Sequence, residues 1–300
     1  MRKIVIIGAS VAGHNLAVNL RNLGNDSSIT LITEEASVLY DKNKLIDFVS
    51  GAAKENDLFL TSADIYQNSN INFVSGKKVN LVNADRKQVY FKEKGSVEYD
   101  YLVIASGRRI VLPEISGAKK DGVFALNTLG DYRKFLTSII RETVCVVGSD
   151  DRALNLAKAI NAKFKVEVKL FSQRLFDQSL LVEGIEVINL SIKEIIGEGC
   201  VQAVKLSDGS AIGVCAVLFL ESLKSNIEFM KNTALEISAD KIIVGDNLNT
   251  NIENIFSCGS VCARKDNLEI IKSTDEVISE SLYLSDVLIK QVKGEICQTC

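Results

Sequence analysis

A glycine-rich turn near the amino end of the chain has the spacing of a phosphate-binding loop. Gly8 and Gly13 stand at the first and third glycine positions of a Gly-x-Gly-x-x-Gly pattern, and Ser10 stands at the second. An apolar run over residues 4–7 precedes the turn, and a segment of helical character follows it. Such a turn lets backbone N–H groups approach a pyrophosphate, whose negative charge the helix dipole favours. The spacing predicts a dinucleotide site, in which Ser10 adds a Cβ where glycine is usual.

An acidic pair follows the next apolar run, over residues 29–32. Glu34 and Glu35 lie about 20 residues beyond the glycine turn, where an acid of a dinucleotide-binding fold bonds a ribose hydroxyl. The alternative is that both carboxylates are solvated loop charges. Together with the glycine turn, the pair favours a nucleotide cofactor.

A second strand–turn–helix pattern, over residues 144–160, departs from the first. Only Gly148 of the glycine pattern is present, and Asp150 and Asp151 follow it. Carboxylates favour a helix N-cap because they accept hydrogen bonds from the first backbone N–H groups. The same carboxylates would repel a pyrophosphate, and Ser172 stands where an acid would bond a ribose. The pattern predicts a second module of the same kind with an altered nucleotide site.

Length and composition restrict the class of protein. The chain has 300 residues, of which 47% are hydrophobic, and this suits two domains with real cores. Its net charge of −3, without a basic cluster, predicts no nucleic-acid partner. No apolar run approaches the ~18 residues of a membrane span, and the apolar run after the charged start is too short for that of a signal peptide. We therefore expect a cytoplasmic protein that does not bind a membrane.

Further motifs follow in a fixed order along the chain: Tyr40-Asp41-Lys42, residues 99–107 with Arg109 and Pro113, and residues 254–260. With the glycine turn at residues 8–13 and the segment at residues 29–35, they resemble the pyridine nucleotide-disulfide oxidoreductase family over about residues 1–294. More narrowly, the chain is similar to the rubredoxin-reductase and nitrite-reductase-like branch. The resemblance implies an α/β fold with two Rossmann-like dinucleotide-binding domains.

The resemblance also implies a domain organisation. Residues 1–112 and 246–294 would form a discontinuous FAD-binding domain, and residues 113–245 would form an NAD(P)-binding-like domain. A cysteine-containing tail, residues 295–300, would follow. We expect no C-terminal dimerisation domain, so an oligomer would not form through it.

The resemblance implies FAD in the first site, bound by residues of several turns: Gly8, Ala9, Ser10, Ala12, Gly13, Glu34, Glu35, Lys42, Val79, Ala105, Ser106, Gly107, Arg109, Gly259 and Ser260. Lys42 matches a family arginine near the cofactor phosphates, and the backbone of Val79 would meet the adenine. Ser260 stands where the family has an aspartate that bonds the ribityl chain, and a neutral bond is roughly half as strong as a charge-assisted one. The following helix would direct its positive N-terminus at the flavin.

The cysteines and the histidine constrain the chemistry. Residues 39–51 contain no cysteine, which excludes a flavin-to-disulfide relay at the place where disulfide reductases carry one. Cys258, Cys262, Cys297 and Cys300 could form redox dithiols or together bind zinc or an iron–sulfur cluster. The alternative, which we favour, is two structural cysteines and a frayed tail, without a metal. His14 is expected to be packed or solvated, and no catalytic side chain is identified.

Three functional hypotheses follow. The first is an FAD-dependent oxidoreductase that passes electrons from NAD(P)H or a protein donor to a small or protein acceptor, such as an electron-transfer protein. The second is a degenerate homologue that acts as a binding or assembly subunit. The third is an FAD electron-transfer subunit that does not use NAD(P)H. The intact first turn favours the first hypothesis, whereas Asp150, Asp151 and Ser260 favour the others.

Overall fold

A computed structural model describes residues 1–294 of the chain. Its α-helices are α1 (Val11–Asn22), α2 (Leu45–Ser50), α3 (Asp64–Asn68), α4 (Leu129–Leu136), α5 (Asp151–Phe164) and α6 (Thr274–Lys293). Short 3-10 helices cover Lys42–Lys44, Glu55–Leu58, Gln178–Leu180 and Glu228–Met230. None of the described helices is both long and apolar enough to span a membrane.

The strands of the described chain are short, and most have two to five residues. They are β1 (Lys3–Ile7), β2 (Ser28–Ile32), β3 (Ile71–Val74), β4 (Val79–Asn83), β5 (Gln88–Phe91), β6 (Ser96–Glu98), β7 (Tyr101–Ile104), β8 (Arg108–Ile110), β9 (Val123–Ala125), β10 (Val144–Val147) and β11 (Val168–Phe171). The later strands are β12 (Ile185–Ile188), β13 (Ile192–Ile196), β14 (Ala203–Leu206), β15 (Ala211–Gly213), β16 (Ala216–Phe219), β17 (Leu223–Ser225), β18 (Ile237–Ser238), β19 (Lys241–Ile243), β20 (Ile255–Ser257) and β21 (Cys262–Ala263).

The first of two compact units comprises Met1–Tyr40, Phe59–Arg108 and the chain from Lys224 onward. Its main sheet has the strand order β20-β7-β1-β2-β3, and all neighbouring strands are parallel. β7 is buried along its whole length, as is typical of a parallel sheet covered on both faces. Helix α1 packs against α6. Leucines of both helices lie in the core: Leu16, Leu20, Leu284 and Leu288.

The carboxyl ends of these parallel strands share one edge of the sheet. The Ala105 N–H donates to the Ile7 carbonyl at 2.8 Å, and the Cys258 N–H donates to the Ile104 carbonyl at 3.1 Å. The turns that follow β1, β7 and β20 therefore begin side by side. In open α/β sheets this edge is where ligands bind.

The second unit comprises Asp41–Leu58 and Arg109–Leu223. Its main sheet, in the order β12-β11-β10-β16-β9, is also entirely parallel. β10 and β16 are buried at every position, and α5 follows β10. An antiparallel sheet of β13, β14 and β15 completes this unit. Two parallel sheets with helical crossovers confirm the predicted fold of two Rossmann-like modules.

The two units divide the chain at other places than the predicted domains. Residues 41–58 belong to the second unit because α2 packs against α4 and α5 there. Residues 224–245 belong to the first unit, where β19 pairs with β21. Local sequence patterns do not report these contacts, because the partners of α2 and β19 lie elsewhere in the chain.

Candidate functional site

The turn between β1 and α1 packs so tightly that only glycine fits at both of its ends. Gly8 has a φ of +110°, and a Cβ there would lie 2.1 Å from the carbonyl oxygen of Ala105. A Cβ on Gly13 would lie 1.8 Å from the carbonyl oxygen of Gly8. The two glycines therefore let α1 begin directly above the end of β1. This is the close packing that the glycine spacing predicts.

The N-terminus of α1 is left without a side-chain cap. Ser10 is the exposed N-cap residue, and its hydroxyl makes no capping hydrogen bond. The first turn of α1 carries no acidic side chain. Backbone N–H groups at such a helix start carry partial positive charge and bind phosphate groups.

Two further predicted turns lie against this helix start. Gly259 has a φ of +84°, and a Cβ there would lie 3.0 Å from the Cβ of Ala12. Gly107 has a φ of +66°, and a Cβ there would lie 3.6 Å from the Oγ of Ser260. The structure thus brings together residues 8–13, 105–107 and 259–260. These segments are far apart in sequence, and all belong to the first unit.

Asn226 holds the turn after β7, and the sequence provides no signal for this role. The hydroxyl of Ser106 donates to the Asn226 carbonyl at 2.6 Å, and the Asn226 side-chain amide donates to the Ser106 carbonyl at 2.9 Å. The Asn226 N–H also donates to the Gly107 carbonyl at 3.0 Å. The Ser106 hydroxyl therefore stabilises the turn through a hydrogen bond to the protein's own backbone.

The acidic pair lies just beyond the carboxyl end of β2, the neighbour of β1. Glu34 accepts two hydrogen bonds from the ammonium of Lys78, at 2.9 and 3.1 Å, and both side chains are exposed. Glu35 accepts a hydrogen bond from the hydroxyl of Tyr40 at 2.7 Å. Exposed surface pairs contribute little to stability, so Glu34 can exchange Lys78 for a polar ligand at small cost.

The remaining predicted contacts are spread over both units. Val79 begins β4 in the first unit and is buried. Lys42 begins a 3-10 helix of the second unit, where Asp41 accepts a hydrogen bond from the Asn43 N–H at 2.9 Å. Arg109 lies in β8 and also belongs to the second unit.

The corresponding turn of the second unit, between β10 and α5, is satisfied by the protein itself. Asp150 is the N-cap of α5, and its Oδ1 accepts from the Ala153 N–H at 3.0 Å. Its Oδ2 accepts from the guanidinium of Arg152 at 2.8 Å. Burial and the charge of Asp150 raise the pKa of Glu221, which follows β16 at the same edge of the sheet. The carboxylate groups of Asp150 and Glu221 therefore lie near each other at this edge, and Arg152 pairs with Asp150.

Asp151 and Arg174, which follow β10 and β11, also lie at this edge of the second sheet. They form an ion pair of 2.8 Å, and the Arg174 guanidinium lies 4.9 Å from the ring centre of Phe176. Arg174 is thus engaged with its own unit. The described connection between β11 and β12 contains only the 3-10 helix Gln178–Leu180.

Comparison with known proteins decides the family. The family model described as pyridine nucleotide-disulphide oxidoreductase matches residues 2–280. This chain belongs to that family. Rubredoxin reductases of two bacteria, Clostridium acetobutylicum and Alcanivorax borkumensis, are among the relatives, which confirms the predicted rubredoxin-reductase-like branch.

Two relatives and one solved structure show how far the likeness extends. The chain is 28% identical to the NADH oxidase of Methanocaldococcus jannaschii over 280 residues, which are 86% of this chain and 62% of that protein. It is 28% identical to the rhodocoxin reductase of Rhodococcus erythropolis, over 87% of this chain and 65% of that protein. The chain therefore spans less than two thirds of the length of these relatives. A chain of the covalent putidaredoxin reductase–putidaredoxin complex has the same fold, with a TM-score of 0.84, 22% identity, and coverage of 96% of this chain and 75% of that one.

Helix α6 departs from the expectation for this oxidoreductase family. Ser273 and Glu276 form a capping box: the Ser273 N–H donates to the Glu276 carboxylate at 2.7 Å, and the Glu276 N–H donates to the Ser273 hydroxyl at 3.2 Å. Asp275 adds a second carboxylate to the first turn. These charges offset the helix dipole, so the positive potential expected at this helix start is reduced.

Of the described cysteines, Cys145, Cys258 and Cys262 are buried, Cys215 is half-buried and Cys200 is exposed. Cys258 and Cys262 are buried, and burial raises the pKa of the Cys262 thiol to about 11. The described residues contain no group of three or more side chains that could bind a metal. Cys297 and Cys300 lie outside the described residues. His14 is buried, with its Nδ1 2.9 Å from the Tyr66 hydroxyl, which confirms the expected packed histidine.

The two turns differ in their fit to a dinucleotide. The first combines a tight glycine cradle with an uncapped helix start, and these features fit the diphosphate of FAD. The second has a capping carboxylate where the diphosphate of NAD(P)H would lie, and it does not fit. The second turn is therefore given no role in binding or electron transfer.

Proposed function

We propose that this chain is an FAD-dependent oxidoreductase that receives electrons from NAD(P)H or a protein donor and passes them to a small or protein acceptor. The observation that carries the proposal is the uncapped start of α1, packed against the turns at 105–107 and 259–260. FAD, when bound, supplies the electron transfer, as the cofactor does throughout flavin chemistry.

The roles that we propose for this chain's residues are binding and orientation. The backbone of residues 8–13 and the hydroxyl of Ser10 would hold the diphosphate. Glu34 would bond a ribose, Val79 would meet the adenine, and Ser260 would bond the polar chain of the cofactor. Residues 1–112 and 246–294 would supply most of this site.

The names of the relatives indicate the kind of acceptor. They include a rhodocoxin reductase and the ferredoxin–NAD(+) reductase subunit of a benzene 1,2-dioxygenase system. We infer that an electron-transfer protein accepts the electrons from this chain as well. A cytoplasmic location would suit such a partner.

A second candidate function is supported by the cap of α5. Because Asp150 and Asp151 occupy the start of that helix, this turn would bind no nicotinamide dinucleotide, and a protein donor would reduce the flavin directly. This candidate is an FAD electron-transfer subunit without NAD(P)H chemistry. It shares the first site with the main proposal and differs only in the donor.

An absorption spectrum of the purified chain separates the candidates. Bands near ~450 nm that bleach with anaerobic NADH or NADPH support the main proposal. Bands that persist with both nucleotides but bleach with a reduced ferredoxin-like donor support the second candidate. A colourless protein that binds no added FAD would contradict both and leave a degenerate binding or assembly subunit.

A further inference from the structure

A partly buried ion pair, Lys272 and Glu280, is hydrogen-bonded to both backbone groups of Gly259. The Gly259 N–H donates to Glu280 Oε2 at 2.6 Å, and the ammonium of Lys272 donates to the Gly259 carbonyl at 3.1 Å. Lys272 and Glu280 are joined by a contact of 2.6 Å. The two peptide planes that flank the Cα of Gly259 are therefore both fixed by this pair.

The pair is enclosed, and its donors are satisfied. The side chain of Lys272 is 9% exposed and that of Glu280 is 18% exposed. The three N–H groups of an ammonium have three acceptors here: Glu280, the Gly259 carbonyl, and Cys262 Sγ at 3.6 Å. Burial opposes the charge on Lys272, yet Cys262 and Glu280 outweigh it and raise the pKa of Lys272.

Burying two charges is not an efficient way to stabilise a fold. The desolvation of both ions offsets much of their attraction, and apolar replacements of a whole buried pair are often neutral. What the pair adds at this place is a defined shape. Glycine is the residue with the greatest backbone freedom, and Gly259 has a φ of +84°.

The shape of this turn bears on the candidate cofactor site. Gly259 packs on Ala12 at the start of α1, and Ser260 Oγ lies beside Gly107. A turn that relaxed at Gly259 would move the Ser260 hydroxyl away from both neighbouring segments.

We propose that Lys272 and Glu280 are positioning residues that hold the Gly259–Ser260 turn in the shape that binds FAD. This inference rests on the proposed function, because it concerns the same site. The pair does not touch the reacting atoms in this proposal. It acts through the backbone of Gly259, so its loss should weaken FAD binding and leave the apoprotein folded.

The test compares two double variants of the whole chain. K272M/E280L removes the buried pair, and K3M/E98Q removes an exposed lysine–glutamate pair of 2.7 Å in the same unit. FAD is titrated into each apoprotein, and the quenching of flavin fluorescence gives the dissociation constant. We expect K272M/E280L to bind FAD ~10-fold more weakly, because a preorganised site is lost, and K3M/E98Q to bind as the wild type does.

Three further measurements separate positioning from folding. Thermal unfolding of each apoprotein checks that the variants fold. The visible circular dichroism of bound flavin should change in K272M/E280L, since it reports the surroundings of the ring system. The variant K272M/E280Q keeps an acceptor for the Gly259 N–H and should recover part of the affinity.

The outcomes are distinguishable. If the wild type binds no FAD, the proposed function fails and this inference fails with it. If the wild type binds FAD and a folded K272M/E280L binds it equally well with an unchanged dichroism, only the inference is overturned. If K272M/E280L does not fold, a wild-type affinity in K272M/E280Q overturns it, and a weakened affinity with altered dichroism supports it.

Discussion

The turns at residues 8–13 and 148–153 lie at the same place in their two sheets, but they differ in how the helix that follows is capped. Each follows a central strand of a parallel sheet and leads into a helix. Ser10 begins α1 without a capping bond, whereas Asp150 begins α5 and caps it from within. The start of α1 can therefore accept the anion of a ligand, whereas the start of α5 already has the carboxylate of Asp150. The fold alone does not decide whether such a turn binds a ligand.

The glycines show the same contrast in packing. Gly8 and Gly13 each face a backbone oxygen at a distance that no Cβ could occupy. At Gly148 a Cβ would meet the Cβ of Ala153 at 2.8 Å, and Ala153 itself stands at the third glycine position. The first turn is therefore closed tightly on its strand, whereas the second already tolerates a side chain.

The largest expected effect is a loss of stability through overpacking, and this loss should be greater at the first turn than at the second. Gly13→Ala drives a methyl into the Gly8 carbonyl, and we expect it to lower the free energy of unfolding by more than about 3 kcal/mol. Gly148→Ala meets the Cβ atoms of Ala153 and Leu220, at 2.8 and 3.4 Å, and should cost less, about 1–2 kcal/mol. Urea unfolding measures both. Gly213→Ala is the control, because its φ is likewise not positive and the new Cβ would lie no closer than 3.8 Å to another residue. Equal losses at Gly13 and Gly148 would contradict the comparison.

The next prediction concerns a variant in which the first turn receives an aspartate, the residue that the second turn has at the corresponding position. Ser10→Asp places a carboxylate where the diphosphate would bind, and we expect FAD affinity to fall by about 2 kcal/mol, or roughly thirtyfold. The stability of the apoprotein should not fall, because aspartate is a good N-cap. Fluorescence titration and urea unfolding give the two quantities. Ser10→Asn, which is neutral, is the matched control, and an equal loss of affinity there would show that charge is not the cause.

A smaller effect tests which helix start is capped by its own side chain. Asp150→Ala removes the bond to the Ala153 N–H and should destabilise the chain by about 1 kcal/mol. Ser10→Ala removes no capping bond and should change stability by less than about 0.5 kcal/mol. Both are measured by urea unfolding without FAD. A larger loss for Ser10→Ala than for Asp150→Ala would reverse the assignment.

The smallest effect concerns pH, because α1 carries His14 where α5 carries the buried Leu154. Burial lowers the pKa of His14 below its usual 6.5, so the unfolded chain takes up a proton more readily than the folded chain. His14 therefore favours the folded state above about pH 6.5, and this contribution is lost as pH falls through the lower folded pKa. Urea midpoints between pH 8 and 5 should show this fall, and His14→Gln should reduce it. An unchanged profile would show that other groups cause the fall.

Local patterns in the sequence were enough for much of the fold. The apolar strands at residues 4–7 and 29–32, the glycine turn that follows the first of them and the cap at Asp150 depend on neighbours within a few residues, and the structure has them where the sequence predicts them. The family motifs added the identity of the first site. The domain limits were less predictable, since α2 takes its partners α4 and α5 from distant parts of the chain.

What the sequence by itself determined was the chemistry offered at each helix start: a small hydroxyl at Ser10 and a carboxylate at Asp150. Only the tertiary structure decided which long-range partners complete the first site. Asn226 binds Ser106 across 120 positions, and Glu280 reaches Gly259 across 21. Such bonds depend on how the sheet edge and α6 come together in space, and residue spacing along the chain does not encode that distance.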